Sequence, residues 1–298
     1  MLKNRDQYGR WWDLAWNTHY GCTKCSPGCD NCWAETLTVR LAAPNAHPSD
    51  MPPARADLAR RTRPAIQESV EGGFEWSGDL VFAEPRLDIP LRRKTPTVWF
   101  VSNMSDLFHP HISDDWRDRM HAVMALCPQH RFVVCTKRAD AMANYYMAGG
   151  RGVSVSVAMR RAGGEHMVPG QWPLRNVIHM VTCCNQGEVD HNVPLLLKTP
   201  SACRAVNVEP LLGSVILGTW LEQLDWVLIG DESGPHRRRP PNGTAEAIAP
   251  ACYSYRVPLY VKQLQAPHPK RRVIHDNEDL LWPRWAVREY PEVLHGAK

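Results

Sequence analysis

Three features are missing from this chain of 298 residues, and each absence narrows the class of protein. No apolar stretch approaches the roughly 20 residues that a membrane-spanning helix needs. The first thirty residues carry several charges and lack the apolar core of a secretory signal. The sequence has no internal repeat and no low-complexity tract. We therefore expect a cytoplasmic protein with no membrane partner, in a compartment that keeps thiols reduced.

An excess of one charge is also missing, because the formal net charge is only +4. Such a balance permits an anionic ligand or a nucleic acid but does not argue for either. Proline is plentiful, with 25 residues, and predicts many fixed turns or irregular connections. The length suffices for one large domain with a buried core, so we expect residues 1–298 to form a single domain.

Six short apolar runs recur along the chain, and each of them ends in polar residues. They lie within residues 97–106, 131–138, 176–186, 203–210, 224–234 and 257–263. The runs are β-branched and continuous rather than alternating, which is typical of strands buried on both faces. Helix-like segments separate several of the runs, so the sequence predicts an α/β fold. We expect a partial or full (β/α) barrel, whose chemistry would collect where the strands end.

The clearest predicted helix follows the first of these runs. Ser113 is a plausible N-cap, and two acidic residues follow it in the first turn. An apolar stripe then runs along one side of the helix, formed by Trp116, Met120, Val123 and Cys127. Such a helix would cover one face of a parallel sheet. A second helix-like run, "WAETLTVRLA", comes earlier in the chain, directly after a group of cysteines.

The segment 41–96 does not follow the strand–helix pattern. It is rich in proline and arginine, as in "MPPARADLARRTRP" and "PLRRKTP", and its apolar periodicity is weak. We interpret it as a Pro/Arg-rich insertion after the cysteines. Long irregular segments often carry function. One interpretation is therefore a lid or a loop that faces the substrate. A solvated loop is the other, and the sequence leaves both open.

Four of the ten cysteines crowd into "GCTKCSPGCDNC", at residues 21–32. They are Cys22, Cys25, Cys29 and Cys32, with the spacing C-x2-C-x3-C-x2-C. Zinc could take all four as thiolates, although structural zinc sites usually hold their CxxC pairs further apart. Iron–sulfur clusters accept closely spaced cysteines from one loop. The spacing therefore favours a cluster and leaves zinc open.

Six motifs, taken together, resemble a known protein family. In chain order they are "WNTHYGCTKCSPGCDNCWAE", "FVSNMSDLFH", "CTKR", "NVEPLLGSV", "LDWVLIGDESGP" and "VPLYVKQ". The chain resembles phage and bacterial proteins of unknown function that are named for a three-cysteine motif and regarded as radical-SAM-like. The resemblance covers nearly the whole chain except much of 41–75 and roughly 145–172. It matches the three shared cysteines to Cys22, Cys29 and Cys32, and it has an aliphatic residue at the position of Cys25.

Several positions depart from the pattern of the family. Cys184 stands where the family tends to have an acid, Val208 precedes Glu209 where a cysteine is usual, and Asp231 replaces a glycine. These departures weaken the transfer of residue roles at the last strands. The extra thiol of Cys25 is either a bystander or a substitute for Cys22 that restores the commoner spacing C-x3-C-x2-C.

The resemblance implies a [4Fe-4S] cluster and S-adenosyl-L-methionine (SAM) as cofactors, and an electron donor protein as a partner. A deoxyadenosyl radical would then take hydrogen from the substrate. The arginines at 55–63 and 92–94 make a nucleotide or nucleic acid a reasonable substrate, although a solvated basic surface is the alternative.

The roles that the resemblance implies fall on polar residues at the strand ends. Lys137 and Glu232 are the candidate catalytic residues. The candidate cofactor-binding residues are Asn103, Ser105, Asp106, Asn185 and Glu209. For each of these side chains the alternative to a functional role is a purely structural one, such as capping the next turn, or exposure to solvent without a role.

Two other functions remain open from the sequence. The first is a non-catalytic, zinc-stabilised protein that binds nucleic acid and uses all four cysteines for the metal. The second is an enzyme that keeps the barrel and uses its cluster for structure or sensing. The identity of the metal distinguishes the zinc-stabilised protein from both kinds of enzyme. Cleavage of SAM distinguishes a radical enzyme from one that uses its cluster for structure or sensing.

Overall fold

The structure is a computed structural model that describes residues 9–42, 53–70, 72–165, 171–234, 236–266, 274 and 282–295. Its α-helices are α1 (Trp33–Ala42), α2 (Pro53–Thr62), α3 (Ile89–Arg92), α4 (Asp114–Ala125), α5 (Ala139–Met147), α6 (Arg151–Arg161), α7 (Gln186–Lys198), α8 (Ala249–Ser254) and α9 (Glu292–His295). Its strands are β1 (Leu14–Trp16), β2 (His19–Tyr20), β3 (Ile66–Glu68), β4 (Phe74–Trp76), β5 (Val81–Phe82), β6 (Val98–Val101), β7 (Arg131–Thr136), β8 (Val177–Thr182), β9 (Arg204–Val208), β10 (Trp226–Ile229) and β11 (Leu259–Val261).

Seven parallel strands form the main sheet of the described chain. Their spatial order is β1, β6, β7, β8, β9, β10 and β11, which is also their order in the sequence. All six predicted strands are therefore confirmed as neighbours in one sheet. The additional strand, β1, spans three residues and lies ahead of the cysteines. Because every strand runs in the same direction, all the strand ends lie along one edge.

The sheet curls into a half-barrel. In a flat sheet β6 and β10 would lie four strand spacings, or about 19 Å, apart. Yet the ring of Trp11 lies 4.7 Å from that of Phe100 on β6 and 5.8 Å from that of Trp226 on β10. One side chain can touch both strands only if the sheet is strongly curved around it. Of the predicted partial or full barrel, the structure has the partial form, with β1 and β11 as open edges.

The two faces of the sheet are buried in different ways. The concave face packs its side chains around Trp11, for example Val98, Val133 and Leu228. The convex face carries the alternate residues, such as Val134, and the helices cover it. Both sets are buried, which explains why the strands are continuous apolar runs rather than alternating ones.

The predicted cap and stripe of α4 are confirmed. The Ser113 hydroxyl accepts a hydrogen bond from the backbone N–H of Trp116 at 3.2 Å, so the helix starts where its first turn predicts. The stripe residues are buried in the core cluster beneath the convex face. The helix-like run after the cysteines is α1, over the predicted residues. Among the described residues, no helix is both long and apolar enough to cross a bilayer.

The segment 41–96 contains more regular structure than its composition predicts. It includes α2, a β3–β4 hairpin and β5, which pairs with β2 ahead of the cysteines. Residues 43–52 and 71 lie outside the described residues. The segment is thus connected to the body of the protein by backbone hydrogen bonds at β5. Its role as a lid stays a prediction.

Trp226 tests the packing of the concave face. Its side chain is fully buried, and its indole N–H donates to the carbonyl of Glu289 at 3.0 Å. We expect Trp226→Ala to lower the free energy of unfolding by about 3–5 kcal/mol, because it leaves a cavity and an unpaired carbonyl. Urea unfolding followed by circular dichroism measures the loss. Tyr253→Ala is the matched control, since Tyr253 is 87% exposed and should cost less than about 0.5 kcal/mol. Equal losses in the two variants would contradict this packing.

Candidate functional site

A cavity of about 150 Å³ lies between the carboxyl ends of the parallel strands and the cysteine loop, defined as residues 21–32. Each of five strands contributes a residue at or just after its end, namely Ser102, Lys137, Thr182, Glu209 and Lys262. The cysteine loop supplies the facing wall. The cavity is therefore where parallel topology brings the polar strand ends together, as in other α/β barrels.

Most of the predicted site residues line this cavity. They are Cys22, Cys29, Cys32, Asn103, Ser105, Asp106, Lys137, Glu209 and Glu232. Cys25 and Asn185 are not among its lining residues. Cys25 is exposed on the loop. Asn185 caps α7 instead, where its side-chain oxygen accepts from the N–H of Glu188 at 3.0 Å.

Local backbone chemistry shapes the cysteine loop. Pro27 starts a 3-10 turn that ends at Cys29, and the hydroxyl of Ser26 caps it by accepting from the N–H of Gly28 at 3.0 Å. A Cβ on Gly28 would stand 3.1 Å from the ring of Pro210 and 3.3 Å from the side chain of Lys137. Glycine therefore lets the loop approach the strand ends closely.

Two arginines fasten the ends of this loop. Arg138 donates to the carbonyl of Thr23 at 2.9 Å and lies 3.8 Å from the sulfur of Cys22. Arg238 donates to Asp30 and to the carbonyl of Pro27, both at 2.8 Å. Because each guanidinium also binds a carboxylate at a strand end, the loop is cross-linked to the sheet at both of its sides.

Asp106 is the carboxylate that Arg138 binds. It also accepts from the hydroxyl of Thr136 at 2.8 Å and from the backbone N–H of Lys137 at 3.2 Å. The neighbouring Ser105 donates to the carbonyl of Gly21 at 2.5 Å. These contacts hold the end of β6 against the end of β7 and the start of the loop. Binding of SAM by these residues stays a prediction.

Glu232 is the carboxylate that Arg238 binds, and it is 4% exposed. It accepts from Nε and Nη2 of Arg238 and from the side-chain amide of Asn31 at 3.0 Å. Burial by itself would raise the pKa of Glu232, but the hydrogen bonds from Arg238 outweigh it and lower the pKa. Glu232 is thereby held as an ionised acceptor rather than as an acid.

Glu209 forms the third carboxylate site of the cavity. It accepts from the ammonium of Lys262 and, at 3.1 Å, from the side-chain amide of Gln263. All three residues follow strands β9 and β11, which β10 separates. The ion pair between Glu209 and Lys262 therefore reaches across the end of β10, which lies between the two strands.

The thiols of the loop differ in their acidity. The interaction with the Cys25 thiol is the largest cause that lowers the pKa of Cys29 below its ordinary value, and the charge of Lys137 acts in the same direction. Burial raises the pKa of Cys22 to about 12. Burial would lower the pKa of Lys137, but the nearby Cys29 and Cys32 raise it above its ordinary value.

Several lining residues were not among the predicted site residues. Asn207 and Cys135 lie on the concave face, each two residues before a predicted polar end, Glu209 or Lys137. Alternate residues of a strand lie on the same face. The sequence could therefore have indicated Asn207 and Cys135 as the residues two positions before Glu209 and Lys137. The aromatic lining residues are Trp11, Trp33, Trp76 and Phe100. No sequence signal placed Trp76 here, since it comes from the segment 41–96.

The arrangement of the thiols bears on which metal group they suit. Within the described ranges, no group of three or more His, Cys, Asp or Glu side chains is arranged to hold a metal ion. Four thiolates around one zinc would stand roughly 3.8 Å apart, given Zn–S distances of about 2.3 Å. A cluster spreads its cysteine ligands over separate irons, so its thiols need only surround a common space. Cys22, Cys29 and Cys32 all line the same cavity, and their binding of a cluster stays a prediction.

Fold and site together define a parallel half-barrel protein with a cysteine loop across the carboxyl ends of its strands. The chain belongs to the family described as Protein of unknown function (DUF5131), whose sequence model matches residues 8–283. No curated protein and no solved structure matches the chain.

The acidity of Cys29 predicts a pH-dependent reactivity. Alkylation requires the thiolate, which is present above the folded pKa and is lost as the pH falls through it. In the metal-free protein we expect the alkylation rate of Cys29 by iodoacetamide to reach half its maximum below the ordinary thiol pKa of about 8.5. Peptide mass spectrometry across pH 4–9 measures that rate at about half-unit intervals.

Cys25→Ala is the matched variant for this measurement. It removes the thiol that interacts with Cys29, so the half-maximal pH should move upward. Cys25 is exposed, and its loss should leave the fold intact. A half-maximal pH for Cys29 that stays the same in the variant would show that this interaction does not set its acidity.

Proposed function

We propose that the protein is a radical-SAM-like iron–sulfur enzyme that modifies or repairs a nucleotide or a nucleic acid. The observation that carries the proposal is the shared cavity. The thiols of Cys22, Cys29 and Cys32 line the same space as the polar ends of the parallel strands. That is the edge at which barrels of this type perform their chemistry.

Cys22, Cys29 and Cys32 are the residues that would hold a [4Fe-4S] cluster. When bound, such a cluster supplies one electron to SAM, whose cleavage gives a deoxyadenosyl radical that takes hydrogen from a substrate. Cations beside the thiols support this assignment, since thiolate ligands carry negative charge. Lys137 is electrostatically coupled to Cys29 and Cys32, and Arg138 lies 3.8 Å from the sulfur of Cys22.

The other lining residues would bind and orient the reactants. Lys137 remains protonated and forms no ion pair with a carboxylate among the described residues, so it can hold an anionic group or donate a proton. Glu232 is kept ionised by Arg238 and would accept hydrogen bonds from hydroxyl groups. Glu209, Asn103, Ser105 and Asp106 would form the wall against SAM.

Exposed arginines support a phosphate-bearing substrate. Arg55, Arg60 and Arg63 are exposed on α2 and the turn after it. Some arginines of the region are already engaged, because Arg61 pairs with Asp57 at 2.7 Å, Arg92 pairs with Asp88, and Arg63 donates to the carbonyl of Ala42 at 3.3 Å. The free part of the basic surface is therefore smaller than the sequence indicates, but it suffices to meet phosphates.

A second candidate function is a zinc-stabilised protein that binds nucleic acid without catalysis. One feature favours it, namely the interaction of the Cys25 thiol with Cys29, which lowers the pKa of Cys29 and brings the extra thiol next to a predicted ligand. Zinc could then draw on all four cysteines of the loop.

Metal analysis and SAM cleavage test the two functions together. The protein is purified without oxygen, its iron, sulfide and zinc are measured, and it is then incubated with dithionite and SAM. We expect about four irons with matching sulfide, and deoxyadenosine among the products. Cys22→Ser, Cys29→Ser and Cys32→Ser should each lose the iron and the deoxyadenosine.

Cys25→Ala provides the matched control within the same loop, since it removes a cysteine that does not line the cavity. It should retain the iron and the cleavage of SAM. Stoichiometric zinc without sulfide would overturn the enzyme and support the zinc-stabilised protein. Iron with sulfide but no deoxyadenosine would indicate a cluster that serves structure or sensing.

A further inference from the structure

A buried histidine contacts the cysteine loop on the side that carries Cys22. This residue, His109, ends the motif "FVSNMSDLFH" and is 1% exposed. Its ring nitrogen Nε2 lies 3.0 Å from the hydroxyl oxygen of Thr23, the residue directly after Cys22. The two residues are 86 positions apart in the sequence, so the contact joins the loop to a distant part of the chain.

The backbone of His109 is held on both of its sides. Its N–H donates to the carbonyl of Asp106 at 3.0 Å, and its carbonyl accepts from the N–H of Ile112 at 3.0 Å. The carbonyl also accepts from the guanidinium of Arg117, a buried residue of α4, at 3.1 Å. The ring is therefore a fixed point of attachment, tied to the turn after β6 and to the first part of α4.

The hydrogen bonds of the ring define which nitrogen carries the proton. Nδ1 lies 3.2 Å from the backbone nitrogen of His111, whose N–H can only donate, so Nδ1 is an acceptor. Burial lowers the pKa of His109 to about 4, and the charge of Arg138 acts in the same direction, so the ring is neutral near pH 7. The single proton of the neutral ring then lies on Nε2, which donates to the hydroxyl of Thr23.

Thr23 connects this histidine to the arginine beside Cys22. Its hydroxyl oxygen also accepts from Nη2 of Arg138 at 2.8 Å, and its carbonyl accepts from the same nitrogen at 2.9 Å. Nη1 of that guanidinium lies 3.8 Å from the sulfur of Cys22 and 3.4 Å from Asp106. A guanidinium is planar, so the contacts that fix Nη2 also fix Nη1 beside the thiol.

The other side of the loop is held by different residues. Arg238 donates to Asp30 and to the carbonyl of Pro27, and the amide of Asn31 donates to Glu232. These contacts do not involve Thr23. Loss of the hydrogen bond from His109 is therefore expected to loosen the Cys22 side of the loop and to leave the Asp30 side in place.

We infer that His109 is a positioning residue for Cys22. By donating to Thr23 it fixes both the loop segment that carries Cys22 and the guanidinium beside the sulfur. The inference rests on the proposed function for the group that Cys22 binds, and on the contacts alone for the position of the loop. A neighbouring cation stabilises a thiolate, so a displaced Arg138 would weaken the binding of a metal group by Cys22.

Limited proteolysis of the full-length, metal-free protein tests the position of the loop. Lys24 is exposed, follows Thr23 and is the only trypsin site within residues 21–32. We expect His109→Leu to speed cleavage after Lys24 by about fivefold, the usual effect of one lost hydrogen bond, and Thr23→Val to speed it at least as much. The double variant should be no faster than Thr23→Val, because no hydroxyl is then left for the histidine to bind. Mass spectrometry of the fragments measures the rates.

His109→Gln separates the hydrogen bond from the volume of the ring. Glutamine keeps an N–H donor, so cleavage after Lys24 should stay within roughly twofold of the unaltered rate. Thr219→Val makes the same chemical change as Thr23→Val at an exposed position outside the loop and should not alter the rate. Cleavage after Arg161, at the exposed end of α6, reports general unfolding and should be equal in all the variants.

Retention of the metal group tests the consequence for Cys22. In anaerobically purified protein, we expect His109→Leu to lose its iron to EDTA several times faster than the unaltered protein, on the order of the change in cleavage. His109→Gln should lose iron at the unaltered rate. Equal rates of loss in His109→Leu and the unaltered protein would overturn the positioning of Cys22, even if the loop is loosened.

Unchanged cleavage after Lys24 in both Thr23→Val and His109→Leu would overturn the inference with no metal present. Equal acceleration in His109→Gln and His109→Leu would also overturn it, because the volume of the ring would then be the cause. A matching acceleration after Arg161 would do the same, since it would show general unfolding.

These outcomes are separate from the fate of the proposed function. A protein that holds no iron but shows the expected cleavage would keep His109 as the residue that fixes the loop, and it would overturn the enzyme. Cleavage of SAM by a protein whose loop does not respond to His109→Leu would overturn only the positioning role.

Discussion

The site depends on the contact of Arg238 with the cysteine loop and the end of β10. Its guanidinium binds Glu232, Asp30 and the carbonyl of Pro27, and so joins a wall of thiols to an edge of polar strand ends. Together with the hydrogen bond from Asn31 to Glu232, this cross-link brings two parts of the chain about two hundred residues apart to one cavity. The arginine also keeps Glu232 ionised, so one residue sets both the shape of the site and part of its charge.

The charges around the cavity are arranged in opposing pairs. Arg138 faces Asp106 and Cys22, and Lys262 faces Glu209. Buried charges are costly unless they are paired, so each pair satisfies its members and fixes their positions. What remains unpaired among the described lining residues is then informative. The ammonium of Lys137 is available to a ligand because it lines the cavity and forms no ion pair within the described chain.

Much of the fold could be predicted from the sequence, since the parallel strands are buried on both faces and therefore leave continuous apolar runs. The run that ends in Lys137 and the cap at Ser113 are two such strong local signals. The candidate site was predictable to the extent that polar residues follow strands. What local patterns could not reveal were contacts between distant parts of the chain. Trp76 reaches the cavity from a segment with weak periodicity, and Asn185 looked like a strand-end ligand but caps α7.

Electron paramagnetic resonance of the reduced protein tests the central claim most directly. The account predicts that the anaerobically prepared protein, reduced with dithionite, gives the signal of a reduced four-iron cluster. It also predicts that SAM changes this signal, because three thiols leave one iron open to it. The absence of a cluster signal in a protein that contains stoichiometric zinc would contradict the account. A cluster signal that SAM does not alter would contradict the open iron and the chemistry proposed for the cavity.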